Sequence, residues 1–145
     1  MFALVQCDPT GRPVEAVEVM SEPLLAACAQ SADLYRRIGY QAPWVSYIAV
    51  DTDVGVGGGA FVGAPSDGVV EMAYFTLEEF QGRGFATQTA QKLLEIARSA
   101  APSLSIKALT LPQQNPSTRI LERLGFKVVG SAHDDDAGEV WEWRA

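Results

Sequence analysis

The stretch Val69–Ala100, VVEMAYFTLEEFQGRGFATQTAQKLLEIARSA, decides the fold of this chain. Its first part, Val69–Leu77, is rich in Val, Tyr, Phe and Thr, which favour a pleated, half-buried strand. From Ala86 onwards, apolar residues recur at the spacing of an amphipathic helix. The apolar period therefore changes from two to about 3.6 residues across Gln81–Gly84, which predicts a strand, a glycine turn and a long helix.

The glycine turn is suited to holding an anion. The first N–H groups of a helix have no internal partner, and the helix dipole places partial positive charge there. Gly82 and Gly84 allow a bulky pyrophosphate to approach the backbone, and Arg83 adds a positive charge. Two alternatives stay open at this point: a turn that needs glycine only for its geometry, and a general nucleotide site.

Length and charge limit the classes of function. A chain of 145 residues predicts a single domain over 1–145, large enough for a sizeable core. The net charge of −7 argues against nucleic acid or an anionic membrane as the main partner and mildly favours an amine-bearing one. Cys7 and Cys28 lack the spacing of a metal site, so we expect reduced thiols and no metal. No signal peptide or membrane-spanning stretch is visible, so we expect a cytoplasmic protein.

The remainder of the chain predicts further strands around this unit. A helix is expected from a Ser21 cap to Gly39. Gly57, Gly58 and Gly59 indicate a bulge, which either relieves packing or marks a close approach to the backbone by a ligand or another chain. The predicted strands are Phe2–Cys7, Val14–Met20 beside it, Trp44–Val50, Gly57–Gly63, Leu104–Leu111, Val128–Ser131 and Val140–Trp143.

A second informative stretch, Asn115–Phe126, carries both ends of a short helix. Asn115 suits the N-cap and Pro116 the first helical position. Gly125 suits the left-handed position after the helix, with Phe126 in contact just beyond. Near the end of the chain, His133 precedes three aspartates, a run that lacks an EF-hand pattern and is more typical of a solvated turn than of a cation site.

The two stretches together resemble the GNAT family of N-acetyltransferases. Gln81-Gly82-Arg83-Gly84-Phe85-Ala86 matches the acetyl-CoA signature of the family, Gln/Arg-x-x-Gly-x-Gly/Ala. Asn115–Phe126 is similar to its Asn-x-x-Ser region, most of all in the branch of ribosomal-protein N-terminal acetyltransferases. Here Ser117 follows Asn115 by two residues instead of three. The expected order of helices and strands fits the family over nearly the whole chain.

The resemblance implies a fold and a donor. The fold is mixed α/β (α+β): a central, mostly antiparallel twisted sheet of about six or seven strands with helices on both faces. The activity is direct transfer of an acetyl group from acetyl-CoA to a primary amine in a ternary complex. Main-chain groups of Phe75, Thr76 and Leu77 would bind the pantetheine arm, with Asn115 beside them. The pyrophosphate would lie on Gln81, Gly82, Arg83, Gly84, Phe85, Ala86 and Thr87.

For the proton chemistry, the resemblance points to Glu71 as the general base, because its place in the strand is that of a catalytic glutamate in some relatives. Apolar neighbours would raise its pKa by desolvation. Many relatives use a tyrosine as the acid where this chain has Leu121, so Ser117 is the substitute. The alternatives are that Glu71 is solvated or only binds the ammonium of the acceptor, and that Asn115 and Ser117 serve the helix cap alone.

The sequence specifies the acceptor amine less closely than it specifies the donor. A small-molecule amine and a peptide N-terminus are both compatible with the chain, as is a homodimer. Relatives often place acceptor-site residues where this chain has Tyr35, Tyr40, Trp44 and Tyr47, although core packing is the default for these aromatics. A non-catalytic acyl-CoA-binding or regulatory module of the same fold is the alternative function.

Overall fold

The computed structural model describes residues 1–145, which form seven strands and three α-helices. None of these helices combines the length and hydropathy that crossing a bilayer requires. The helices are α1 (Glu22–Ile38), α2 (Phe85–Ala100) and α3 (Pro116–Arg123). The strands are β1 (Phe2–Gln6), β2 (Ser46–Asp51), β3 (Val54–Phe61), β4 (Val69–Thr76), β5 (Ser105–Thr110), β6 (Lys127–Asp134) and β7 (Gly138–Arg144).

All seven strands join one sheet in the order β1-β2-β3-β4-β5-β7-β6. The β4–β5 pair is parallel and every other pair is antiparallel. The crossover α2 connects the parallel pair, as a parallel connection requires. The predicted fold class, a mostly antiparallel sheet with helices on both faces, is confirmed.

The two faces of the sheet are covered by different helices. On one face, Leu24 and Cys28 of α1 pack with Ile48 of β2 in a buried cluster. On the other face, Leu93 of α2 belongs to the main core. Each helix therefore buries one apolar stripe, as the 3.6-residue periodicity predicts.

The glycine run of β3 brings neighbouring backbone and side chains close. A Cβ added at Gly57 would lie 2.3 Å from the carbonyl oxygen of Phe75, and one at Gly59 would lie 2.7 Å from Leu93. The register of β2 and β3 also shifts by one residue between Ala49 and Val50. The expected bulge is confirmed, whereas the groups that approach these glycines closely belong to this chain itself and not to a ligand or another chain.

The strand β4 leaves β5 part of the way along its length. It pairs with β5 only over Val69–Glu71 but continues beside β3 as far as Thr76. The sheet consequently opens after Glu71. The N-terminal end of α3 lies at this opening, where the Tyr74 hydroxyl contacts the Ser117 carbonyl oxygen at 3.4 Å.

The helix α3 has the predicted caps at both ends. Thr118 N–H donates to Asn115 Oδ1 at 3.0 Å, and Asn115 N–H donates to Thr118 Oγ1 at 2.9 Å. This is a reciprocal capping box. After the helix, Gly125 has φ 91° and Phe126 N–H donates to the Leu121 carbonyl oxygen at 2.9 Å, as in a Schellman motif.

Two local predictions are wrong. Val14–Met20 forms no strand beside β1, because the segment leaves the outer edge of β1 after Pro13 and Val19 forms an isolated bridge with Val54 of β3 instead. The bridge between Cys7 and Pro13 is isolated, and proline lacks the N–H that would extend a ladder. Ser21 does occupy the N-cap position of α1, but its hydroxyl is buried without a hydrogen bond and does not cap the helix.

Candidate functional site

A groove of about 630 Å³ lies where the sheet opens, between β4, the N-terminus of α2 and one side of α3. Nine of the residues proposed from the sequence line it: Phe75, Thr76, Gln81, Gly82, Gly84, Phe85, Ala86, Thr87 and Ser117. Four others do not, namely Glu71, Leu77, Arg83 and Asn115. The structure therefore brings the two motifs, which are distant in sequence, to opposite sides of one groove.

The edge of β4 offers main-chain hydrogen-bonding groups to the groove. The Glu71 carbonyl oxygen accepts from Val62 N–H, and Leu77 N–H donates to the Val56 carbonyl oxygen. Alternate residues of β4, starting from Glu71, therefore direct their main-chain groups towards β3. Tyr74 and Thr76 point the other way, to the side that β5 has left. The groups that face the groove thus belong to Tyr74 and Thr76, whereas Leu77 N–H already has a partner in β3.

Thr76 adds an unsatisfied side chain to this edge. Its hydroxyl oxygen is buried and has no hydrogen-bond partner in the chain. An unpaired buried hydroxyl costs about 1–3 kcal/mol, so a ligand that bonds it is favoured. The Thr76 carbonyl accepts from Gln81 Nε2 at 3.2 Å, which joins the strand to the glycine turn.

The helix α2 begins without a side-chain cap. Gly84 is its N-cap residue, with φ 83°, and Gly82 has φ 78°. A Cβ at either glycine would meet no atom within 4 Å, so the turn is open to the groove. Gln88 N–H makes a helical bond to the Gly84 carbonyl, but the N–H groups before it lack such partners. An anion of the size of a phosphate fits this arrangement.

Three arginines surround the groove of this acidic chain. The Arg83 guanidinium lies 5.1 Å from the centre of the Phe85 ring and 5.9 Å from that of Phe80, which holds it beside the turn. Arg119 and Arg123, one helical turn apart on α3, line the opposite side. Sequence reasoning missed these two residues. Their spacing of four residues, which places them on one helix face, was the available indication.

Tyr74 is a further residue that the sequence did not single out. It lines the groove, and its phenol lies beside the first turn of α3. Burial raises the pKa of Tyr74 to about 12, and the contact with Ser117 opposes this rise. The phenol therefore stays protonated at neutral pH. Leu121, at the place of the tyrosine in many relatives, is fully buried in the core.

Glu71 lies where β4 and β5 separate. Its carboxylate is half-buried, and Lys107 Nζ is 3.8 Å away. Burial raises the pKa of Glu71, the Lys107 ammonium opposes the rise, and the Asp134 and Glu142 carboxylates add to it. A carboxylate with a raised pKa accepts a proton more readily near neutral pH.

The other residues considered from the sequence serve the fold. Tyr35, Trp44 and Tyr47 are buried in the main core. The Tyr40 hydroxyl donates to the Cys7 carbonyl oxygen at 2.6 Å. In the turn after His133, Asp134 Oδ2 accepts from the backbone of the next residues, and no group of three potential metal ligands converges anywhere in the chain.

Comparison with known structures places this fold among acetyltransferases. Ribosomal-protein-S5-alanine acetyltransferase from Vibrio fischeri aligns with a TM-score of 0.74 and 13% identity, over 99% of this chain and 92% of that one. A ribosomal L7/L12 α-N-protein acetyltransferase in complex with coenzyme A aligns with a TM-score of 0.70 and 15% identity, over 99% and 93%. A GNAT-family acetyltransferase from Bacillus anthracis aligns with a TM-score of 0.60 and 18% identity, over 69% of this chain and 64% of that one. The present chain therefore matches less than two thirds of the length of that protein.

The family model for the acetyltransferase (GNAT) domain matches residues 13–127. The chain therefore belongs to the GNAT family, and the resemblance inferred from its two motifs is confirmed. Acetyl-CoA is the co-substrate of GNAT domains. A search of curated proteins gives no significant match.

Proposed function

We propose that this chain is an N-acetyltransferase that transfers the acetyl group of acetyl-CoA directly to a primary amine in a ternary complex. The observation that carries the proposal is the groove at the opening of the sheet. One of its sides presents unpaired main-chain groups and the unsatisfied Thr76 hydroxyl, and its end is the uncapped N-terminus of α2. An extended amide-containing arm followed by a pyrophosphate is complementary to this sequence of groups.

Different residues of the groove would bind different parts of acetyl-CoA. Tyr74 and Thr76 would hold the pantetheine arm through their main chain, with the Phe75 side chain beside it, whereas Leu77 N–H is already bonded to Val56. The turn and first helical residues, Gln81–Thr87, would bind the pyrophosphate through their N–H groups. Arg119 and Arg123 supply charge from α3. Asn115 would support this site mainly by capping α3, since its Oδ1 already accepts from Thr118.

Conversion of an ammonium to an amide requires two protons to leave the nitrogen, and one proton is needed on the sulfur of CoA. Glu71, directly or through water, would remove a proton from the acceptor ammonium. The neutral nitrogen then forms a bond to the acetyl carbon, the carbon–sulfur bond breaks, and its electron pair goes to the sulfur of CoA. Ser117 would donate its hydroxyl proton to that sulfur and take up the second proton, which the acetylated nitrogen loses, so that the amide and the CoA thiol both leave neutral. Tyr74 is a second candidate for this donor, because its protonated phenol lies beside Ser117 in the groove.

The alternative is a non-catalytic acyl-CoA-binding module of the same fold. Two observations favour it: a buried leucine, Leu121, stands in the place of the usual tyrosine, and Glu71 is engaged by Lys107. The two functions differ in turnover and not in binding.

The test is to mix the protein and acetyl-CoA with a panel of primary amines. We expect free thiol and acetylated amine to appear in equal amounts. Calorimetry with CoA, run in parallel, measures binding by itself. Binding of CoA without turnover on any amine would favour the non-catalytic module, and absence of CoA binding would refute both functions.

A further inference from the structure

A second cavity, of about 280 Å³, lies between α1 and the face of the sheet that α1 covers. Ala27 and Leu34 of α1 are part of its roof. The small residues Gly58, Ala60 and Ala73 are part of its floor. Because these three residues carry a methyl group or no side chain at all, space remains open beneath the helix.

The second cavity contains no charged side chain. Ten of its 15 lining residues are hydrophobic. Ser31 and Ser46 satisfy each other across it, with their hydroxyl oxygens 2.8 Å apart. Burial raises the pKa of the Cys7 thiol to about 12, so this group is neutral as well. A charged substituent placed here would lose its hydration and find no counter-ion, whereas an apolar one would be favoured.

The two cavities meet at β4. Tyr74 and Phe75 line both of them. After Glu71, no strand pairs with the edge of β4 that faces β5. This free edge of β4 therefore lies between the two cavities. Phe75 is 41% exposed, an unusual exposure for a large apolar side chain, at this junction. A molecule held in the second cavity can therefore reach over the edge of β4 into the groove.

Glu71 does not line the second cavity, but it lies two residues before Ala73 of β4, which does. Residues at i and i+2 of a strand share a face, so Glu71 is on the same face as Ala73 and Phe75. An amine that occupies this cavity with its substituent can thus present its nitrogen near Glu71.

We propose, on the basis of the proposed acetyltransferase function, that the acceptor is a primary amine with a single uncharged apolar substituent, alkyl or aromatic, that fills the second cavity. The volume is adequate: a cavity of about 150 Å³ holds benzene. Amines with a second positive charge, such as polyamines, are selected against.

The test compares two acceptors on the wild-type protein. n-Pentylamine and cadaverine have the same carbon chain and differ by one terminal ammonium group. We expect kcat/KM to be at least about tenfold higher for n-pentylamine, because the second ammonium of cadaverine would be desolvated without a partner. Equal or better use of cadaverine, with thiol still released, would overturn this inference and leave the proposed function standing. If no amine is acetylated, the proposed function fails and this inference falls with it.

A pair of variants locates the effect in the second cavity. Ala27→Leu inserts a larger side chain into the roof, whereas Ala29→Leu adds the same side chain on the exposed side of α1. Alanine and leucine both favour a helix, so we expect the two substitutions to affect folding to a similar extent. We expect Ala27→Leu to raise KM for n-pentylamine at least about threefold, without a change in the Kd of CoA, and Ala29→Leu to behave as wild type. An unchanged KM in folded Ala27→Leu would show that the acceptor binds elsewhere.

Discussion

The substitution Gly84→Glu tests the anion site at the start of α2. A side chain at Gly84 projects into open space, so glutamate fits without a clash. The carboxylate would lie near the unpaired N–H groups of the first helical turn and compete with the pyrophosphate for them. The left-handed backbone, with φ 83°, also adds a folding cost of about 1–2 kcal/mol for any residue other than glycine.

The loss of binding follows from the charges. Two unit charges about 4 Å apart repel by about 1 kcal/mol in bulk water and about 4 kcal/mol at the effective dielectric constant of a protein surface. Gly84 is exposed, so the repulsion lies between these values. We expect Gly84→Glu to weaken CoA binding by about 1–3 kcal/mol, which is roughly a five- to 150-fold rise in Kd.

Isothermal calorimetry with CoA measures this change, and two variants control it. Gly84→Gln has nearly the same shape without the charge, so it isolates the electrostatic part. Gly68→Glu introduces the same residue at an exposed glycine with φ 76° that also faces open space and lies outside the groove. It should show a similar loss of stability and an unchanged Kd. If folded Gly84→Glu binds CoA as tightly as Gly68→Glu, the assignment of this turn is refuted.

Three further predictions concern the other side of the groove and the base. Arg119→Ala combined with Arg123→Ala should raise the Kd of CoA about tenfold, less at high salt, and an unchanged Kd would exclude both from the site. If Glu71 is the base, the rate falls as pH drops through its raised pKa, and Glu142→Gln, which removes a charge that raises this pKa, should move the acidic limb of the pH–rate profile to lower pH. Glu71→Gln should abolish that limb, and its persistence would assign the base elsewhere. Asn115→Ala should lower the free energy of unfolding by about 0.5–2 kcal/mol in a denaturant titration, and no change would mean that the cap is dispensable.

Local features of the fold were predictable from the sequence. The strand–turn–helix unit and both caps of α3 depend on residues within a few positions of each other, and each is confirmed. The predicted strand at Val14–Met20 is wrong for the opposite reason. Its partial alternation allows a strand, but pairing is decided by distant residues, and here Val19 bridges Val54 of β3 while the outer edge of β1 gains no strand.

The sequence predicted the main-chain groups of the candidate site better than its side chains. A glycine turn before a helix specifies unpaired N–H groups locally. Arg119 and Arg123 were missed because their spacing shows a shared helix face but not what that face adjoins. Tyr74 was taken as part of an ordinary strand, since nothing in the sequence indicates that its hydroxyl meets α3.

The sequence by itself determined the family and the donor of the acetyl group, because these depend on short motifs whose geometry is local. Only the tertiary structure decided where the two motifs meet. The parting of β4 from β5 after Glu71, which no local pattern encodes, opens the groove and exposes one edge of β4. The uncharged cavity beneath α1 likewise depends on small residues of two neighbouring strands that share one face under that helix. Both features result from long-range pairing and packing, and the acceptor that we propose depends on them.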